Sequence, residues 1–334
     1  MKKNKSLTIK ETFNLAVKNH QEGKIDIAQD LYNQVLKINL NHLGALNNLG
    51  VLFKKKNQIQ KAKECYEKII EIDPTQTVAY FNLGNIFTDF KEYQKAKECL
   101  EKAIELNPNY VNAHYNLGNI FNKLGEIQKA KECFEKVIEF NPNYVNAHNN
   151  LGSIFKGLGQ HQKAKECFEK AIELDPNYVD AHYNLGVIFQ ELGQHQKAKE
   201  CYEKAIELDP NNVDAHYNLA NIFNKLGEHQ KAINFYEKAI KLNPNHVGAN
   251  NNLGSIFGDL GEHQKAINFY EKTIEINPDY SSAHNNLGAI FQELGEDKKA
   301  EECYKKAIEI DPDLFSASSN FANIYISQLT DFET

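Results

Sequence analysis

All eight prolines, Pro74, Pro108, Pro142, Pro176, Pro210, Pro244, Pro278 and Pro312, are spaced 34 residues apart without exception. Only tandem repetition produces such spacing, and a period of this length signals stacked supersecondary units. With the proline at repeat position 32, repeats begin at Ile9, Leu43, Thr77, Val111, Val145, Val179, Val213, Val247 and Ser281. The chain then divides into a tail (1–8), nine repeats (9–314) and a closing segment (315–334), with Leu40 where the first proline would stand.

Within Val179 to Asn212, the apolar residues Leu185, Ile188 and Phe189, then Ala198, Tyr202, Ala205, Ile206 and Leu208, follow helical spacing on two short segments. Gly193 supplies a positive φ between them, and Asp209-Pro210-Asn211 ends the second because a residue before proline is driven out of the α region. Each repeat is therefore an amphipathic helical hairpin and the fold class all-α. Gly186 sits inside the first helix at about 1 kcal/mol relative to Ala. Position 8 is Gly in seven repeats and Ala at Ala16, Ala220 and Ala322, which lets paired helices approach closely. In the closing segment, Phe321, Ile324 and Tyr325 are expected to face inward. On the second helices, Lys199 with Glu203 and Glu200 with Lys204 are expected to pair across a solvated face.

His182, Leu185-Gly186, Phe189, Gly193, Ala198, Tyr202, Ala205 and Pro210 reproduce a pattern that recurs along the chain and resembles the tetratricopeptide repeat family. That resemblance implies a right-handed superhelical solenoid of antiparallel helix pairs, its first helices lining the concave face, and a role in holding protein partners.

The formal charge of −7 is spread along the whole chain, and every basic residue is Lys. Binding to phosphate backbones or anionic lipid is not expected, and bidentate arginine recognition has no side chain to perform it. No run of eighteen apolar residues occurs, and Met1 to Thr12 lacks the apolar stretch of a secretory leader, so a cytoplasmic location is expected.

Chemistry-bearing residues also follow the repeat. Cys65, Cys99, Cys133, Cys167, Cys201 and Cys303 share position 23 with Phe235 and Phe269, and a residue interchangeable with Phe is a packing residue. Thiols one repeat apart are about 10 Å from one another and form no metal site. His114, His148, His182, His216 and His284 occupy position 4 as half-buried space fillers, and His161, His195, His229 and His263 occupy position 17. No phosphate loop, nucleophile elbow or zinc-protease motif occurs. No cofactor, metal or catalytic residue is expected, and the chain reads as a non-enzyme.

One polar column stands out. Position 6 is Asn in every first helix: Asn14, Asn48, Asn82, Asn116, Asn150, Asn184, Asn218, Asn252, Asn286 and Asn320. Neighbouring position 9 varies, with Asn85, Asn119 and Asn221 among Val, Ser and Ala, and position 13 mixes Lys55, Asp89, Lys123, Gly157, Glu191, Lys225, Asp259 and Glu293. A carboxamide matches both polar groups of a peptide unit, and a column spaced about 10 Å would meet an extended chain about every third residue. Phe81, Tyr115, Tyr183 and Tyr217 at position 5 are expected to add contacts along the same groove.

The column is similar to the substrate-binding superhelix of O-linked N-acetylglucosamine transferases and Spindly-like proteins, which implies a substrate-recognition arm, in trans or as a fragment. A carboxylate clamp, which needs clustered Lys, is disfavoured by the mixed signs at position 13. The sequence thus points first to a scaffold binding an extended peptide or partner segment, and next to the recognition arm. A third reading is a structural assembly piece that self-associates through its end repeats.

Overall fold

The computed structural model describes residues 7–331, with side chains described through Ile324. Residues 1–6 of the expected tail, and the placement expected of Tyr325, lie outside the described residues. Among the described residues all regular structure is helical, as the periodicity predicts.

The chain forms two compact units, one ending at Leu174 and one beginning at Asp175. The first holds α1 (Ile9–Gln21), α2 (Ile25–Ile38), α3 (Leu43–Lys55), α4 (Ile59–Ile72), α5 (Thr77–Asp89), α6 (Tyr93–Leu106), α7 (Val111–Lys123), α8 (Ile127–Phe140), α9 (Val145–Gly157) and α10 (His161–Leu174). The second holds α11 (Val179–Glu191), α12 (His195–Leu208), α13 (Val213–Lys225), α14 (His229–Leu242), α15 (Val247–Asp259), α16 (His263–Ile276), α17 (Ser281–Glu293), α18 (Asp297–Ile310) and α19 (Phe315–Asp331). Within each unit every helix packs on its neighbours in sequence, giving a stack of hairpins.

The hairpin interior is built from small residues. Ala28, Ala62, Ala96, Ala130, Ala164, Ala198, Ala232, Ala266 and Ala300, all at position 20, are fully buried. A methyl group at Gly186 would stand 2.7 Å from Tyr202 Cε1, and one at Gly152 2.7 Å from Phe168 Cε1, so position 8 is where the two helix axes come closest. Leu185, Ile188, Phe189, Tyr202 and Ala205 are buried as expected, whereas Ile206 and Leu208 are half-buried at the edge.

Asp209, before Pro210, has φ −131 and ψ 94 and leaves the helix. Its carboxylate Oδ1 then accepts the Asn211 N–H at 3.0 Å, an Asx turn. Asn39 precedes Leu40 instead of proline and does the same, at φ −136 and ψ 95 with Oδ1 accepting the Asn41 N–H at 3.1 Å. The Asx side chain suffices to make the turn, and proline reinforces it.

Position-4 histidines do more than fill space, which corrects the sequence reading. Nε2 of His114, His148, His182, His216 and His284 lies 2.8–3.0 Å from the carbonyl oxygen of the proline six residues earlier. Each imidazole donates to that carbonyl and pins the inter-repeat turn to the next helix. One of the helical ion pairs also differs from expectation. Lys199 meets Glu203 at 3.9 Å, but Lys204 turns to Glu207 at 2.9 Å and Glu200 accepts from Gln196 Nε2. In α19, Ile324 is buried and Phe321 half-buried, while Phe315 is exposed.

Lys91 holds φ 61 in a turn where Gly stands in seven other repeats, and a non-glycine residue there costs about 1–2 kcal/mol. Lys91→Gly should raise stability by about 1 kcal/mol, read as an increase in the urea midpoint. Burial holds His216 below the usual imidazole pKa range. Its Nδ1 is buried without a partner, so protonation would strand a charged donor. The unfolded chain therefore binds the extra proton, and this contribution is complete above about pH 6.5 and lost as pH falls through the lower folded value. The drop in urea midpoint from pH 7 to pH 5 should be smaller in His216→Gln.

Candidate peptide groove

The position-6 asparagines from Asn48 onward are half-buried on the first helices, while Asn14 is exposed, and several of the amides turn sideways to the preceding repeat. Asn116 Nδ2 donates to Asn85 Oδ1 at 2.6 Å, and Asn150 Nδ2 donates to Asn119 Oδ1 at 3.0 Å. In the second unit Asn252 Nδ2 donates to Asn221 Oδ1 at 3.0 Å, and Tyr236 Oη donates to the same oxygen at 2.6 Å. At two junctions where the preceding position 9 is valine, a tyrosine hydroxyl takes its place. Asn48 donates to Tyr32 Oη at 3.1 Å and Asn218 to Tyr183 Oη at 3.1 Å. Burial pushes the Tyr270 phenol up to about 12, with Ser255 and Asn286 beside it drawing it down. Asn82 and Asn184 are half-buried at the same register.

This arrangement leaves defined groups unengaged. In the Asn85–Asn116 and Asn119–Asn150 pairs, the position-6 amide nitrogen donates and the position-9 oxygen accepts. Each pair retains the position-9 NH2 and the position-6 carbonyl, one donor and one acceptor. Open depressions lie along the column, and Asn85, Asn116 and Asn119 border one of them. That one, of about 240 Å³, is lined by Lys54, Asn85, Thr88, Asp89, Asn116 and Asn119. Another, of about 430 Å³ in the second unit, includes Ser255, Asp259, Tyr270, Asn286 and Glu293.

The position-5 aromatics are half-buried and form the wall beside the column. Phe81 packs on Tyr110 and Tyr115 on Tyr144, each with ring centres 4.9 Å apart. Tyr183 and Tyr217 lie 5.9 Å from Tyr202 and Tyr236. Gly248 makes room for this wall, since a methyl there would stand 2.8 Å from Tyr217 Oη.

Sequence reading missed the lysines at positions 19 and 21. Phe121 lies between Lys97 and Lys129, each 5.4 Å from its ring centre, and Phe223 between Lys199 at 5.4 Å and Lys231 at 5.2 Å. Each such ring takes one cation from its own repeat and one from the repeat before, an attraction of about 0.5–1 kcal/mol apiece at an exposed site. The face carrying Lys199 is therefore a junction as well as a solvated surface. The signal was available in the fixed spacing of Phe and Lys across one period.

Burial pushes the thiols of Cys65, Cys99, Cys167 and Cys303 up to about 11, and that of Cys133 to about 12. Among the described residues no group of three His, Cys, Asp or Glu side chains is placed to hold a metal ion. No described helix is long and apolar enough to cross a membrane. At pH 8 the native thiols should react with an aromatic disulfide reagent roughly 100-fold or more slowly than in denaturant, because the thiolate is the reacting species. Rapid native labelling would show that these side chains are not held in the interior.

Tetratricopeptide repeat patterns match residues 44–76, 111–144, 179–212 and 213–246, and related repeat patterns match 65–98, 84–125, 133–166, 152–193 and 246–313. Together they run unbroken from 44 to 313, and the chain belongs to the tetratricopeptide repeat proteins. Among solved structures it is similar to YrrB, described as a TPR protein with an unusual peptide-binding site. Identity is 27%, with 57% of this chain and 98% of that one covered and a TM-score of 0.50. It also shares its fold with pilF of Pseudomonas aeruginosa, at 20% identity, 67% and 98% coverage and a TM-score of 0.56. No curated protein matches the chain.

Proposed function

We propose that this protein is a non-enzymatic scaffold that binds an extended peptide or partner segment along its first helices. The observation that carries this reading is the pair of unengaged amide groups, one donor and one acceptor, left by Asn85–Asn116 and again by Asn119–Asn150. A peptide unit needs one of each, and successive pairs recur one repeat apart, so recognition is directed at the backbone and tolerates many sequences. The likeness to YrrB, a peptide-binding member of the family by its description, supports the same reading.

We take 9–314 as the binding array and 315–334 as its closing segment. The site comprises Asn48, Asn82, Asn116, Asn150, Asn184, Asn218, Asn252 and Asn286, with Asn85, Asn119 and Asn221 beside them, and Phe81, Tyr115, Tyr183 and Tyr217 as its wall. The alternative reading, on the likeness of the asparagine column alone, is a substrate-recognition arm, as a fragment or in trans, of an O-linked N-acetylglucosamine transferase-like enzyme. The cytoplasm is the proposed location, in keeping with six thiols that form no disulfide. Self-association has its own observation, the exposed Ile38 and Leu40 in the first repeat and Phe315 at the other end.

The groove is tested with Asn85→Ser/Asn119→Ser. Serine already occupies this position at Ser153 and Ser255, so the fold is expected to hold. A random twelve-residue peptide library displayed on phage supplies binders, and synthetic copies are titrated by fluorescence anisotropy. Losing two contacts of about 0.5–1.5 kcal/mol each should weaken binding about 5- to 150-fold. Equal affinity for both proteins would remove the asparagine pairs from the mechanism.

A further inference from the structure

At the α7–α9 junction of the first unit and the α15–α17 junction of the second, a notch lies between the carboxyl-terminal ends of neighbouring first helices, bounded by positions 12 and 17 of one repeat and positions 9, 10 and 13 of the next. The position-13 side chain can reach back across a junction. Asp89 does so to Lys54 Nζ at 3.2 Å, Lys123 to the Tyr93 ring at 6.0 Å, and Glu293 to His263 Nδ1 at 3.6 Å.

The junction of α7 and α8 with α9 lacks such a bridge. Position 13 is Gly157 and the facing position 17 is Ile127, so neither side can span the gap. A methyl group on Gly157 would have nothing within 4 Å. A cavity of about 270 Å³ opens there, lined by Asn122, Ile127, Ser153, Ile154, Gly157 and Leu158. That is below the usual size of a small-molecule site, about 300–1,000 Å³, and suits one amino-acid side chain.

Two neighbouring features indicate what enters it. The Asn119–Asn150 pair belongs to this same junction, so a strand whose backbone is read there runs past the notch. Among the described residues Lys156, half-buried and next to Gly157, is in no ion pair, nor are Lys55 and Lys225 on other first helices, whereas Lys54 meets Asp89. Lys156 does not line the cavity but stands one residue before Gly157, where its charge attracts a carboxylate on the neighbouring residue of the incoming segment.

We propose that the Gly157 notch is the specificity pocket of the groove, taking one aliphatic side chain of an extended partner segment whose neighbouring residue is acidic and pairs with Lys156. This rests on the peptide-binding reading above, supplying side-chain selectivity to a backbone-directed groove.

The same displayed twelve-residue library tests it on the full chain, comparing the parent with Gly157→Leu and Lys156→Glu. Gly157 is the last residue of α9 and its φ is not positive. Leucine is a better helix former there, so lost binding would not be lost folding, and circular dichroism checks this. The parent should enrich Leu, Ile or Val beside Asp or Glu at a fixed register. A synthetic peptide of that consensus should bind Gly157→Leu at least tenfold more weakly, and Lys156→Glu should exchange the acidic preference for a basic one. Parent and Gly157→Leu enriching the same sequences, while Asn85→Ser/Asn119→Ser still weakens them, would overturn the pocket and leave the groove standing. No enrichment on the parent would overturn the groove reading itself, and the pocket with it.

Discussion

A hairpin of two short amphipathic helices exposes an apolar stripe that it cannot bury against itself, and the rest of the molecule follows from that deficit. Within each unit the stripe is covered by the next hairpin, so the interior is a series of junctions rather than one core. At position 8 the helices of a pair approach until a methyl group would stand 2.7–2.9 Å from the ring or leucine beneath it. At position 11 a phenylalanine ring is held between lysines of two repeats, and at position 4 a histidine ties the preceding turn to the helix that follows it. Each device is weak singly; repetition makes them count, because nearest-neighbour terms add along a stack.

The asparagine column shows how packing and recognition share one side chain. A carboxamide has two donors and two acceptor sites. In Asn116 and Asn150 one donor secures the preceding repeat and the carbonyl stays open to the groove. Persistence of Asn at position 6 therefore has a mechanical cause in addition to any ligand, and variation at position 9 has a consequence. Asn at 85, 119 and 221 gives an amide pair, whereas Val51 and Val187 leave the next asparagine without that partner. The groove is thus unlike itself from junction to junction although the repeats look alike.

Much of this was legible in the sequence. Helix limits followed from the positions of proline and glycine, because backbone dihedrals are local properties. Leu40 was legible as an exception, but the reason the turn survives there, the Asn39 side chain, required the observed hydrogen bond. The thiols were readable as packing because Phe replaces them at 235 and 269. The histidines were misread as fillers because their partner is a backbone carbonyl, which has no letter in the sequence. Pairing of Lys204 with Glu207 rather than Glu200 turns on rotamer choice, to which spacing is blind.

The sequence by itself determined the repeat, the two helices within it, their turns and their buried faces, since these depend on residues fewer than 34 apart. The tertiary structure alone decided which groups at a junction are engaged and which remain open. Amide direction, the reach of Asp89 or Lys123 across a notch, and the gap left by Gly157 and Ile127 all depend on side chains that meet about one repeat apart in sequence, through space. Composition at each position is written in the chain, but complementarity across a junction exists only once the hairpins have stacked.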